Sequence, residues 1–230
     1  MIRAAVIVCG LCAAAFAQRP EFVRIPPGGF AMAKTETTVA QFAAFVKALG
    51  YQTAAEQAGD PRTWRAPGYK VAGNQPIVYV TVKDATAYCE WISARLPTDA
   101  EWVRAARAES TTRHYWGDRI DGRYLWYRAN TRGRPGPVGK KLPNSWGLFD
   151  VEGNVWEWTI SPPQEGAEMA NRRGGSWIDC EDIEGPPGQP PGPLIGLSKY
   201  YKIAVRLDHR YDDIGFRCAR TEPRAQASGF

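Results

Sequence analysis

The chain has 230 residues, 44% of them hydrophobic and 23% charged, with 29 basic and 24 acidic side chains and a net charge of +5. The length predicts one domain with long insertions, and the balance of apolar and charged residues argues against wholesale disorder and against a coiled coil. Glycine and proline number 23 and 18, beside 9 Trp and 10 Tyr; such a chain is rich in turns held by large aromatic side chains, not a helical bundle or a plain parallel sheet.

In chain order, Arg3 precedes an apolar run from Ala4 to Phe16, and Ala15-Phe16-Ala17 fits a small-x-small cleavage pattern. Residues 1–17 therefore read as a signal peptide, and the protein as secreted or periplasmic. No other segment reaches the roughly 18 apolar residues of a membrane span. Phe22 to Ile25 is a strand candidate ended by Pro26-Pro27-Gly28-Gly29. Thr37 and Thr38 are N-cap candidates for a helix in which Val39, Phe42, Phe45, Val46 and Leu49 recur with helical spacing and Gly50 is the stop. Residues 51–76 read as irregular, and Ile77 to Val82 as a buried strand or extended run. A second helix follows, with Ala85, Tyr88, Cys89 and Ile92 on one face. Thr98 and Glu101 form a capping box for a third helix that ends near Arg107. From residue 110 onward helical periodicity disappears. The domain is expected to cover 18–220, with Gly185 to Gly196 a surface loop and residues 221–230 a disordered tail. No internal repeat is found.

Charge and composition narrow the chemistry. The signs are interspersed with no run of five like charges, which predicts a solvated surface and no nucleic-acid partner. Cys9 and Cys12 leave with the signal peptide, so Cys89, Cys180 and Cys218 remain, of which two can pair in an oxidising compartment. His114 and His209 are the only histidines, which excludes a His-rich zinc or iron site by counting.

Several segments together resemble one family. Arg95-Leu-Pro-Thr-Asp-Ala-Glu-Trp102 looks like RLPTEAEW, and Asn144-Ser-Trp-Gly-Leu-Phe-Asp150 with Gly153-Asn-Val-Trp-Glu-Trp158 looks like N-x-x-GLYD-x-x-GNVWEW. Arg173-Gly-Gly-Ser-Trp177 matches RGGSW, and Ile214-Gly-Phe-Arg217 matches a closing GFR. Phe22 to Phe30 and Thr35 to Val39 resemble the opening strand and helix start. The order and the span, roughly residues 21–220, resemble the formylglycine-generating enzyme, or sulfatase-modifying factor, family. The resemblance implies an α+β, C-type-lectin-like fold with little regular secondary structure. It also implies a disulfide between Cys89 and Cys218. By position it implies calcium on Asn154, the Val155 carbonyl and Glu157, and a second calcium site on Asn130 and Thr131, where Gly139 stands in place of the family's Asp. The alternative for Glu157 is a buried carboxylate paired with backbone N–H groups or an Arg.

The family's redox centre does not carry over. Active members hold copper(I) between two cysteines after GGS, and a soft ion needs soft thiolates. Here Asp179 occupies the first cysteine position, Cys180 comes one residue late, and Glu184 falls where a second thiol is needed. Three readings follow. A ligand-binding module would display Trp158, Trp177, Arg206, His209, Arg210 and Asp212 to a protein, peptide or glycan, as a monomer. A divergent oxidase would use Ser176, Asp179 and Cys180, with copper or iron held by the acidic segment 179–184, His209 and Asp212. A variable protein of a diversity-generating retroelement would vary the stretch from Trp177 to Asp213.

Overall fold

The computed structural model describes residues 19–160, 169–179 and 203–222. The expected signal peptide, Cys180 with Glu181, Asp182 and Glu184, the segment 185–196 and residues 223–230 lie outside the described residues.

The chain opens with the expected strand β1 (Phe22–Ile25), which turns through Pro26–Gly29 into β2 (Phe30–Ala33). Strand β7 (Ala219–Thr221) adds antiparallel to β2, with Phe30 opposite Thr221 and Met32 opposite Ala219. Thr221, expected to begin a disordered tail, thus ends a strand, because β2 offers it an unpaired edge.

Each described helix begins with a threonine and a polar residue three positions on. Helix α1 (Val39–Leu49) has Thr38 accepting from the Gln41 N–H while Gln41 accepts from the Thr38 N–H, and Gly50 closes it in the left-handed conformation. Thr81 with Asp84 caps α3 (Val82–Trp91), and Thr98 with Glu101 caps α4 (Asp99–Arg107). Each box satisfies two backbone donors that no helical carbonyl can reach. The same device starts a four-residue helix, α2 (Ala54–Gln57), on Thr53 and Glu56, inside the stretch expected to be irregular. Four residues are too few to show periodicity, so only the cap signals it. Ile77, Val78 and Val80 are buried as expected, but outside any strand.

The second sheet has the order β5 (Ile203–Arg206), β4 (Met169–Arg173), β3 (Trp156–Thr159), β6 (Ile214–Gly215), antiparallel except for the parallel β3–β6 pair. Behind it α1 and α3 bury an aromatic cluster: Phe42 meets Phe45, Trp64, Tyr88 and Phe216 at ring centroid distances of 5.3 to 6.4 Å. Three of these pairs are edge to face and the Phe42–Tyr88 pair is stacked; such contacts add to the area they bury. The Cys89–Cys218 disulfide ties α3 to the segment between β6 and β7 across 129 residues.

At the centre lies an ion pair. Arg217 donates to Glu157 through Nε at 2.7 Å and Nη2 at 2.6 Å, and Trp102 Nε1 donates to the same carboxylate at 2.7 Å. Arg217 is fully buried and Glu157 is 1% exposed. The remaining guanidinium donors reach the carbonyls of Ala33 and Phe149. One contact set thus joins both sheets and α4.

Candidate functional site

Beyond β4 the chain passes through Gly174 and Gly175, at φ of +101° and +80°. A Cβ on Gly174 would lie 3.2 Å from both Trp102 and the Val151 carbonyl, so the close approach and the positive φ together require glycine. This turn delivers Ser176, whose N–H donates to Asp179 Oδ2 at 2.7 Å. The Ser176 hydroxyl lies 3.2 Å from the same oxygen and 3.3 Å from Asp213 Oδ2. Ser176, a candidate catalytic residue of the oxidase reading, is fully buried between two carboxylates. Burial raises both acids. It pushes Asp213 up to about 6, with Arg172 opposing and Asp179 and Asp212 adding, and it raises Asp179 against the hydrogen bonds from Ser176.

Trp177 follows. Its N–H donates to the Asn154 carbonyl at 2.8 Å, and its indole Nε1 to the Asp212 carbonyl at 3.2 Å. The Tyr69 hydroxyl donates to that same carbonyl at 3.2 Å, and the two rings meet edge to face at 6.3 Å. Asp212 therefore acts here through its backbone.

A cleft of about 490 Å³ is lined by Asp60, Arg62, Tyr79, Arg206, His209, Arg210 and Tyr211. Its charges are largely matched in pairs: Arg210 with Asp60, and Arg206 with Asp208 at 3.2 Å. His209 meets Tyr211 edge on at 4.4 Å; burial first, then Arg172, pushes its imidazole below the usual range. Tyr79 adopts a φ of +60°, held by its N–H on the Tyr211 carbonyl at 3.0 Å. A bulky residue is rarely found there without surrounding contacts that enforce it. Arg206, His209 and Arg210 were legible as candidates. Asp60, Arg62 and Tyr79 were not, because they come from loops more than a hundred residues away.

Trp158 is not part of this surface. It is fully buried in the aromatic core, and its Nε1 donates to the Val80 carbonyl at 3.0 Å. On a four-residue strand buried along its whole length, alternation around Glu157 sends neither tryptophan to solvent.

The calcium expectations meet a different arrangement. The oxygens of Glu157 are taken by Arg217 and Trp102, the ion-pair alternative for this residue. Asn154 Oδ1 accepts from the Gly136 N–H at 2.9 Å, while its Nδ2 and the Val155 N–H both donate to Glu36. Asn130 Oδ1 accepts from the Tyr127 N–H, and the Thr131 hydroxyl donates to the Trp177 carbonyl. A hard cation needs six to eight converging oxygens; in this arrangement the Asn154 and Asn130 side-chain oxygens accept from internal N–H groups, and the Thr131 hydroxyl is a donor. Glu36, missed in the sequence, is the buried acceptor that organises Asn154 and Val155. Burial holds its carboxyl well above the ordinary range, with Asp150 and Glu157 adding. Among the described residues no group of three His, Cys, Asp or Glu side chains is placed to hold a metal ion.

Residues 10–222 match the family model described as a sulfatase-modifying factor enzyme 1-like domain. The chain is 31% identical over 264 residues to a formylglycine-generating enzyme of Streptomyces coelicolor, covering 86% of this chain and 79% of that protein. It is 35% identical over 184 residues to the inactive C-alpha-formylglycine-generating enzyme 2 of Mus musculus, covering 70% of this chain and 56% of that protein. The structure of PvdO from Pseudomonas aeruginosa superposes with a TM-score of 0.65 at 22% identity, over 89% of this chain and 92% of that one, a likeness of fold.

Proposed function

This chain belongs to the sulfatase-modifying factor family, and from that premise we propose that it is an exported binding protein that uses the family scaffold without the family's cysteine oxidation. The observation that carries the reading is Asp179. It stands where an active member has its first copper thiolate, and its carboxylate is turned onto Ser176, bound by the N–H at 2.7 Å. A hard carboxylate already committed to a tight turn is a poor partner for copper(I). That one of its relatives carries the name of an inactive enzyme supports the same direction.

The cleft beside this turn is the ligand site. Arg206 and Arg210 are matched by carboxylates, Arg62 has no such match among the described residues, and Tyr79, His209 and Tyr211 add aromatic edges with polar tips. Such a surface suits a polar ligand that carries both charges or many hydroxyls, which means a peptide segment or a glycan. Tyrosine supplies large contact area with little rotamer entropy to lose.

The test is a peptide and glycan array probed with the full chain, produced in an oxidising compartment. Binding that falls at least about tenfold in Tyr211→Ala, an exposed ring in the cleft, is the expected result, since a hot-spot aromatic costs about 2 kcal/mol or more when truncated. Oxygen uptake with a cysteine peptide and one equivalent of copper would overturn the reading.

A further inference from the structure

A second cavity, of about 470 Å³, has the opposite electrostatic character to the cleft just described. Arg132 and Arg134 line it together with Trp126, Asn74, Pro135 and Pro137, and no acidic side chain is among its lining residues. Arg134 Nη1 donates to the Lys70 carbonyl at 3.2 Å, which fixes the guanidinium without neutralising it. Arg132 has no hydrogen bond or ion pair to another described residue. Two uncompensated guanidinium groups on one cavity attract an anion and offer forked donors to it.

The indole of Trp126 forms one wall of the cavity. The ring is held firmly in place. Lys141 Nζ lies 3.9 Å from its centroid, and a Cβ on Gly136 would come within 2.2 Å of Cε2, so the Gly136 backbone rests directly on the indole. Ring and prolines give the cavity an apolar wall, and the arginines give it a cationic end.

We propose that this cavity is a binding site for a small organic acid, with its carboxylate on Arg132 and Arg134 and its apolar body along Trp126 and the prolines. The volume lies within the range of small-molecule sites. The site is separate from the paired-charge cleft and does not depend on what that cleft binds.

The test is calorimetry on the full chain with 2-naphthoate and its neutral analogue 2-naphthamide. The expected result is one naphthoate per chain, with the amide weaker by about tenfold or more, the value of a hydrogen bond to a charged group. Arg132→Gln and Arg134→Gln, both at exposed positions, should each weaken naphthoate by a similar factor while leaving thermal unfolding unchanged. In parallel, the Trp126 Nε1–H resonance, assigned through Trp126→Phe, should shift on saturation. The proposal fails if naphthoate shows no binding up to about 1 mM, if the amide binds equally well, or if neither arginine variant changes the affinity.

Discussion

Replacing Glu157 by glutamine removes one charge from a pair with no access to water. Arg217 is fully buried and Glu157 is 1% exposed, so the guanidinium left behind cannot be rescued by solvent. Breaking a buried pair from one side costs about 3–5 kcal/mol. Glutamine keeps one acceptor for Trp102 Nε1 or for Arg217, and the carbonyls of Ala33 and Phe149 retain their donors, so the lower half of that range is expected. For a domain of this size each kcal/mol moves the melting midpoint by roughly 2–4 °C, giving a drop of roughly 6–12 °C for a loss of about 3 kcal/mol. The assay is thermal and urea unfolding of wild type and Glu157→Gln, each with calcium and with a chelator. The loss is expected to be the same in both solutions, because Arg217 and Trp102 satisfy the carboxylate. A loss below about 1 kcal/mol, or a wild type that falls to the level of the variant when chelator is added, would refute this.

Three further outcomes follow from the same contacts. Cys89→Ser should lower stability by about 4–5 kcal/mol in the chain-entropy model, since the bond closes a loop of 129 residues; melting of the wild type under reducing conditions should reproduce the variant. Gly153→Ala places a Cβ 2.3 Å from the Trp126 carbonyl at a φ of +77°, and a urea midpoint showing a loss of at least about 2 kcal/mol is expected from strain and overpacking. Burial raises Asp150 to about 6, with the Gly139 N–H and Arg217 opposing, above the roughly 3.9 of an unfolded aspartate. The folded state therefore holds a proton that the unfolded state releases first. The cost of ionising Asp150 is absent below about pH 4 and complete above about pH 6, so wild type should lose stability relative to Asp150→Asn across that window. A difference that stays flat between pH 4 and 7 would contradict this.

The helices were legible because their signals are local. Thr98 with Glu101, and the spacing of Val39, Phe42, Phe45 and Val46 up to Gly50, specify start, face and stop within a dozen residues. The ordered motifs carried the family and the pairing of Cys89 with Cys218, and both hold. What sequence did not yield is set by long-range geometry. No pattern announces that Trp102, far from Arg217 in sequence, shares Glu157 with it. Nor does any local signal bring Asp60 to Arg210 across 150 residues. Trp158 was assigned to a binding face by motif position, yet the sheet buries it. Glu36 was passed over within a Thr-Glu-Thr-Thr run that reads as polar surface, and only the fold shows it as an interior acceptor.

Copper(I) affinity and oxygen uptake together separate a binding protein from a cysteine oxidase. The full chain, produced in an oxidising compartment, is titrated with copper(I) against a competing chelator and then offered a cysteine peptide in air. No tight stoichiometric copper and no peptide-dependent oxygen consumption are expected, because Asp179 is bound to Ser176 where a thiolate is required. One tightly held copper per chain, with oxygen uptake that disappears in Cys180→Ala, would contradict this.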